Sequence, residues 1–135
     1  MILLDTNVCI AYLHGDPQIA DRLFAADEQD SVLIPGIVVG ELYYGVERSQ
    51  RRAENLEMTE RFLALFPVCF ANETVMKLFG LLKAFAAKAG RRVEDADVII
   101  AATAIANDAT LITGNVKHFS RFLEHGLKIE NWHKV

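Results

Sequence analysis

The chain alternates very short apolar runs with longer stretches in which apolar residues return at helical spacing. Ile2 to Leu4 is too brief for a helix, and Val32 to Ile34 and Leu111 to Ile112 repeat the pattern, each followed by polar residues or Pro35; all three read as buried strands. Val68 to Phe70 and Leu127 to Ile129 are weaker candidates, the second interrupted by Lys128 and therefore suited to a sheet edge. Between them a short helix is expected from Asp5 to His14, a second from Asp16-Pro17 to Asp27, and a third from Gly36 to Arg48. A fourth runs from Glu54 to Leu65 before Pro67 stops it. Asn72 is a good N-cap for Glu73 to Ala89, with Gly90 as the stop, and Asp95 is expected to cap the apolar segment ending at Ala106. There is no repeat, low-complexity tract or linker. Strands alternating with helices predict one three-layer α/β domain over residues 1–135, its mostly parallel sheet covered on both faces.

Composition narrows the class. With 135 residues, 52% of them hydrophobic, the chain can enclose a real core. Its longest apolar run is far shorter than the ~18 residues of a membrane span. The opening MILLDTN has neither a basic stretch before its apolar residues nor a small-residue cleavage pattern after them, so no membrane partner and a cytoplasmic location are expected. Cys9 and Cys69 sit in apolar stretches without metal-ligand spacing and read as reduced core thiols. A formal charge of -4 does not advertise nucleic-acid binding. The basic residues nevertheless gather as Arg48, Arg51 and Arg52, then Lys88, Arg91 and Arg92, then Lys117, His118 and Arg121, each group by itself a solvated helix end.

The acids change this picture. Asp95 and Asp97 run directly into Val98 to Ala106, nine residues with nothing more polar than Thr103. Capping explains one acid there; two residues apart, they point to different sides of a helix, and Asp97 shares its phase with Ile100, Ala101 and Ala104. The small alanines let that helix approach the sheet closely. Asp5 follows the first strand and Thr113-Gly114-Asn115 follows Leu111-Ile112, so both lie at the carboxyl edge where parallel sheets collect ligands. Asp5-Thr6-Asn7 also reads as a strand-to-helix turn with a cap. Glu41 lies three residues after Val38 and four after Ile37, within an apolar stripe; it either snorkels at the border or points inward and needs a partner.

If Asp5, Glu41, Asp97 and Asn115 converge, three neighbouring carboxylates repel unless a cation joins them. Hard oxygen donors without a histidine or cysteine pattern suit Mg²⁺ or Mn²⁺, and such an ion in an acidic pocket is the chemistry of phosphodiester hydrolysis.

These segments resemble the PIN-domain ribonucleases, and most closely the VapC toxins of bacterial toxin-antitoxin modules. The matching pieces are LLDTNV at 3–8, GELYYGV at 40–46, DADVIIAATAIA at 95–106 and LITGNVKHF at 111–119, in family order and covering nearly the whole chain. The resemblance implies a sheet of about five parallel strands, Mg²⁺- or Mn²⁺-dependent cleavage of RNA, inhibition by a VapB-type antitoxin, and a homodimer. By the same resemblance Asp5 and Asp97 match metal ligands, and Glu41 an acid that supports metal and water. Asn115 stands where many PIN domains carry a fourth acid. Asp95 matches a less regular acid, a helix cap or an auxiliary ligand; Thr6 and Thr113 match small hydroxyl positions that orient water or ligands. Lys117, His118 and Arg121 would then contact RNA phosphates. His14, His118, His125 and His133 are scattered, with none expected to pair with a candidate base.

Three competing readings remain. A haloacid-dehalogenase-type phosphatase would need an aspartate at position 7, where Asn7 stands. A Rossmann domain would need G-x-G-x-x-G after the first strand, which is missing. A catalytically weak or silent module that binds an antitoxin to form a DNA-bound regulatory complex conflicts with the presence of Asp5, Glu41 and Asp97, although the neutral Asn115 leaves it some room.

Overall fold

The computed structural model describes residues 1–133. Its order is β1 (Ile2–Leu4), α1 (Thr6–Leu13), α2 (Pro17–Gln29), β2 (Val32–Pro35), α3 (Gly36–Arg48), α4 (Arg52–Leu63), β3 (Val68–Cys69), α5 (Glu73–Lys88), α6 (Asp95–Ala106), β4 (Thr110–Ile112), α7 (Val116–Phe119), a 3₁₀ segment (Ser120–His125) and β5 (Lys128–Glu130). The sheet has five strands in the order β3-β2-β1-β4-β5, and every pairing is parallel. Helices cover both faces, giving the three-layer α/β/α fold. No helix of the described residues is long and apolar enough to cross a membrane.

Burial on both faces explains the strand composition. Leu3, Leu4, Ile34, Leu111 and Ile112 are all fully buried, and each such side chain contributes about 1.5–3 kcal/mol by leaving water. The weaker strands follow the same logic: β5 has exposed Lys128 and Glu130 around half-buried Ile129, as an edge permits.

The helix ends show where local chemistry was readable. Asp16 caps α2 by accepting from the Gln18 and Ile19 amides, with Pro17 in the first turn. Asn72 accepts from the Val75 amide at α5, and Gly90 closes that helix in the left-handed region at φ 69°. Several helix bounds differ from those expected, and α2 runs on past Asp27 to Gln29. The fourth begins at Arg52, two residues before Glu54, because Arg52 clasps Glu47 and the turn from Ser49 is fastened by the Ser49 Oγ. It also ends at Leu63 rather than Leu65. At α6 the N-cap is Glu94, not Asp95: Asp95 is already helical, and its carboxylate pairs with Lys83 Nζ at 3.1 Å. Asp95 is therefore not the cap.

The chain reverses direction across the sheet at β1. It moves outward to β2 and β3, then returns to the other side with β4, so the crevice beyond the carboxyl ends of β1 and β4 is a topological switch point. The Asp5 amide donates to the Ile112 carbonyl at 3.0 Å, joining those two strand ends.

Candidate functional site

Asp5 stands one residue beyond β1 and is 4% exposed. It caps α1, its Oδ1 accepting from the Thr6 amide at 2.8 Å, while its Oδ2 accepts from the Thr113 hydroxyl at 2.7 Å. Thr113 is fully buried, and its oxygen also accepts from the Asn115 amide at 2.9 Å. The other threonine, Thr6, donates its hydroxyl to Glu41 Oε1 at 2.5 Å. Each threonine thus gives its single hydroxyl proton to one acid. Together they tie the start of α1 to α3 and to the end of β4.

Asp97 enters from the first turn of α6, a helix whose Val98, Ile100, Ala101, Ala102, Thr103 and Ala104 are all buried. Its pKa is raised, first by burial and next by the charge of Asp5, with Glu41 adding to the effect and His118 opposing it. Asp5 is raised as well, by burial, against the hydrogen bonds from Thr113 and Thr6 and the charge of His133. The three acids therefore share one electrostatic neighbourhood, and two of them hold protons more tightly than an ordinary carboxyl.

Asn115 is half-buried at the N-cap of α7, and the hydrogen bonds it makes run through its backbone. Asp95 borders the same cleft as Asp97, but its carboxylate pairs with Lys83 on the surface. Cys9, fully buried on α1, has its thiol pushed up by burial and then by Asp5, which keeps it protonated. Cys69 is a free thiol too.

Two histidines stand nearer the acids than their scattered positions in the sequence suggest. His118 does pair with a candidate base: its Nδ1 lies 3.7 Å from Asp97 Oδ2, close enough for charge to act but too long for a hydrogen bond. The residues are 21 apart across β4, so no local spacing announces them. His133 is a second such neighbour. It packs on Gly114, where an added Cβ would meet its Cδ2 at 2.8 Å and push the imidazole aside.

Among the described residues, no three Asp, Glu, His or Cys side chains are gathered so as to hold an ion unaided. The donor set still suits a small hard cation. Mg²⁺ keeps several waters and commonly takes one or two carboxylates plus substrate phosphates rather than an all-protein cage. Asp5, raised by burial, and Asp97, raised by burial and by the charges of Asp5 and Glu41, would also be relieved by positive charge.

Two depressions flank the acids. One, of about 450 Å³, is lined by Arg92, Asp97, His118 and Arg121 among others. The other, of about 220 Å³, lies between α1, α3 and α4, and is lined mainly by apolar side chains including Ile10, Leu42, Val46 and Met58, with Glu41 at its border.

Comparison with known proteins adds a consistent set of likenesses. The family model of the PIN domain matches residues 2–122. The chain is 31% identical to Ribonuclease VapC2 of Rickettsia felis over 98% of both proteins. It is also 31% identical to the tRNA(fMet)-specific endonuclease VapC of Shigella flexneri over 96% of both. Among solved structures, VapBC2 from Rickettsia felis bound to a DNA fragment from their promoter superposes with a TM-score of 0.90 at 31% identity, covering 98% of this chain and 99% of the other.

Proposed function

Since the chain belongs to the PIN-domain family, we propose that it is a divalent-metal-dependent endoribonuclease and the toxin of a VapBC-type toxin-antitoxin pair. The observation that carries this reading is the gathering of acids at the switch point of the sheet, where Thr113 and Thr6 hold Asp5 and Glu41 and the charges of both raise Asp97. Asp5 and Asp97 would hold Mg²⁺ or Mn²⁺. Such an ion supplies Lewis acidity toward a phosphodiester and activates water.

The chain's own residues then have distinct tasks. The Thr113 hydroxyl and the Thr6 amide fix both oxygens of Asp5, so its lone pairs are aimed before substrate arrives. Thr6 orients Glu41 through Oε1, leaving Oε2 to take the proton of an attacking water. Attack on phosphorus breaks a phosphorus–oxygen bond of the strand, leaving a phosphomonoester on one fragment and a hydroxyl on the other. The 2′-hydroxyl takes no part, so no cyclic phosphate forms. Asn115 steadies this arrangement through its amide on Thr113.

A VapB-type antitoxin fits the apolar depression beside Glu41, where Ile10 and Met58 are 37% and 46% exposed. A segment seated there would reach the acids and block them. Solved relatives are VapBC assemblies, one of them described as a member of the VapBC family of toxin-antitoxin systems. Self-association into a homodimer agrees with other exposed apolar residues, Phe70, Met76 and Leu81.

The test is incubation of purified full-length protein with RNA in Mn²⁺ or Mg²⁺, with and without chelator, beside Asp5→Ala and Asp97→Ala. Cleavage should need the ion and both aspartates, and should yield linear phosphomonoester ends. An Asp97→Ala protein that cuts as fast as the parent, or cyclic phosphate ends, would remove the assignment.

A further inference from the structure

The chain's net charge of -4 conceals an uneven distribution. Seven lysines and arginines are paired with carboxylates: Arg22, Arg51, Arg52, Arg61, Lys77, Lys83 and Lys128. Among the described residues, six others have no such partner. One, Arg48, lies over the Tyr44 ring at 5.4 Å on the Glu41 side. The remaining five lie on the Asp97 side. Arg92 and Arg121 line the 450 Å³ cleft with Asp97, and Arg91 and Arg121 line an adjoining depression of about 260 Å³. Lys88 ends α5 just before these arginines, and Lys117 precedes His118 on α7.

Arg121 is the shared wall of the two depressions, and its Nε is buried without a hydrogen-bond partner. Buried donors rarely go unsatisfied, and a guanidinium that lines a cleft without a carboxylate partner is a ready site for an anion. Glu94, Asp95 and Asp97 line the same cleft, yet neither Arg92 nor Arg121 is paired with any of them, so both cations stay available to a phosphate.

We propose that Arg92 and Arg121 form a phosphate ledge for single-stranded RNA, holding the backbone on one side of the cut as it leaves Asp97 toward Arg91. The proposal rests on the nuclease reading but concerns binding, so the two fail separately. The ledge positions the strand and takes no part in breaking the bond. It also gives the strand one preferred exit, past Arg92 and Arg121 and away from the apolar depression beside Glu41.

The experiment measures binding of a labelled single-stranded RNA of about twelve nucleotides to the full-length protein in chelator, by fluorescence anisotropy across a salt series. Arg92→Ala, an exposed position whose loss leaves the core untouched, and Arg121→Ala should each weaken binding several-fold. Each should reduce the slope of log K against log salt by about 0.7, the loss of one single-strand phosphate contact. Arg121→Lys should recover most of that slope. Arg22→Ala and Arg61→Ala, which remove paired cations, should leave affinity unchanged. With Mn²⁺ added, the two ledge variants should raise KM by the same factor as Kd while kcat falls less. Affinity and slope equal to the parent in both ledge variants would overturn the proposal whether or not the protein cuts RNA. Unchanged RNA affinity with lost neutralisation by the cognate antitoxin would overturn it too, assigning the ledge to the protein partner. Ledge effects in a protein that never cleaves would uphold the ledge and remove the nuclease reading.

Discussion

The hydroxyl of Thr113 donates to Asp5 Oδ2 at 2.7 Å across 108 positions of sequence, joining the ends of two adjacent strands through one acid. Thr113→Val keeps the shape but removes the donor, and it also strands the Asn115 amide. Loss of hydrogen bonding at a fully buried site should cost about 1–3 kcal/mol. Thermal unfolding should therefore shift down by several degrees, and RNA cleavage should fall through kcat rather than KM. An unchanged melting temperature would mean that this bond does not support the fold.

Asp97→Asn should abolish cleavage yet raise stability in chelator at neutral pH. The carboxyl of Asp97 is raised by burial and by Asp5, so the folded state binds its proton more tightly than the unfolded chain. Stability therefore falls as pH rises through the interval between the ordinary carboxyl value and the raised one, and the full penalty applies above it. Removing the charge should gain on the order of 1 kcal/mol at neutral pH. That gain should shrink as pH falls toward the ordinary carboxyl range. Melting temperatures of parent and variant across mildly acidic to neutral pH would check both the sign and the window.

The same acids predict how metal acts on the fold. Mg²⁺ or Mn²⁺ should stabilise the parent by mass action, by about 2.7 kcal/mol at a hundredfold excess over the dissociation constant, and so raise its melting temperature. The rise should be lost in Asp5→Asn and Asp97→Asn. A rise of equal size in all three proteins would place the ion elsewhere.

Asp95 should behave differently from Asp97 although they are two residues apart. Its partner Lys83 is 56% exposed and Asp95 itself 61%, so their ion pair is screened by water. Asp95→Asn should change stability by less than about 1 kcal/mol and cleavage only slightly. A loss of activity matching that of Asp97→Asn would make Asp95 a ligand.

Ala101→Leu tests whether helix α6 must lie close to its neighbours. Ala101 is fully buried, and three added carbons have nowhere to go. Overpacking should cost about 1–3 kcal/mol and move Asp97 outward, so activity should fall even where the protein stays folded. Melting temperature and cleavage rate measured together separate the two effects.

Much of the scaffold was legible because burial writes itself into the sequence. The runs around Leu3 and Leu111 are apolar on both faces, which parallel strands in the middle of a sheet require. Helix starts were legible where a side chain does the capping, as at Asp16 and Asn72. The start of α6 was not, since Glu94 caps it by backbone conformation alone and leaves no side-chain signature. The segment from Val116 to His125 went unassigned because a four-residue helix followed by a 3₁₀ stretch is too short to display a period. At the site, Asp5 and Thr113 could be placed from their positions after strands. The neighbourhoods of His118 and His133 could not, because they arise only once β4 and the residues just after β5 fold back beside Asp5 and Asp97.

Position β1 in the middle of the sheet also sets how the site can respond to RNA. The residue after it donates its amide to the Ile112 carbonyl, with parallel neighbours zipped on either side. Exposing that amide to hydrogen exchange requires prising the sheet apart at its most protected point, so it should be among the last to exchange. The acids are accordingly a fixed anvil. Accommodation between enzyme and strand falls to the long exposed side chains around them and to the RNA itself, which must bend to the protein.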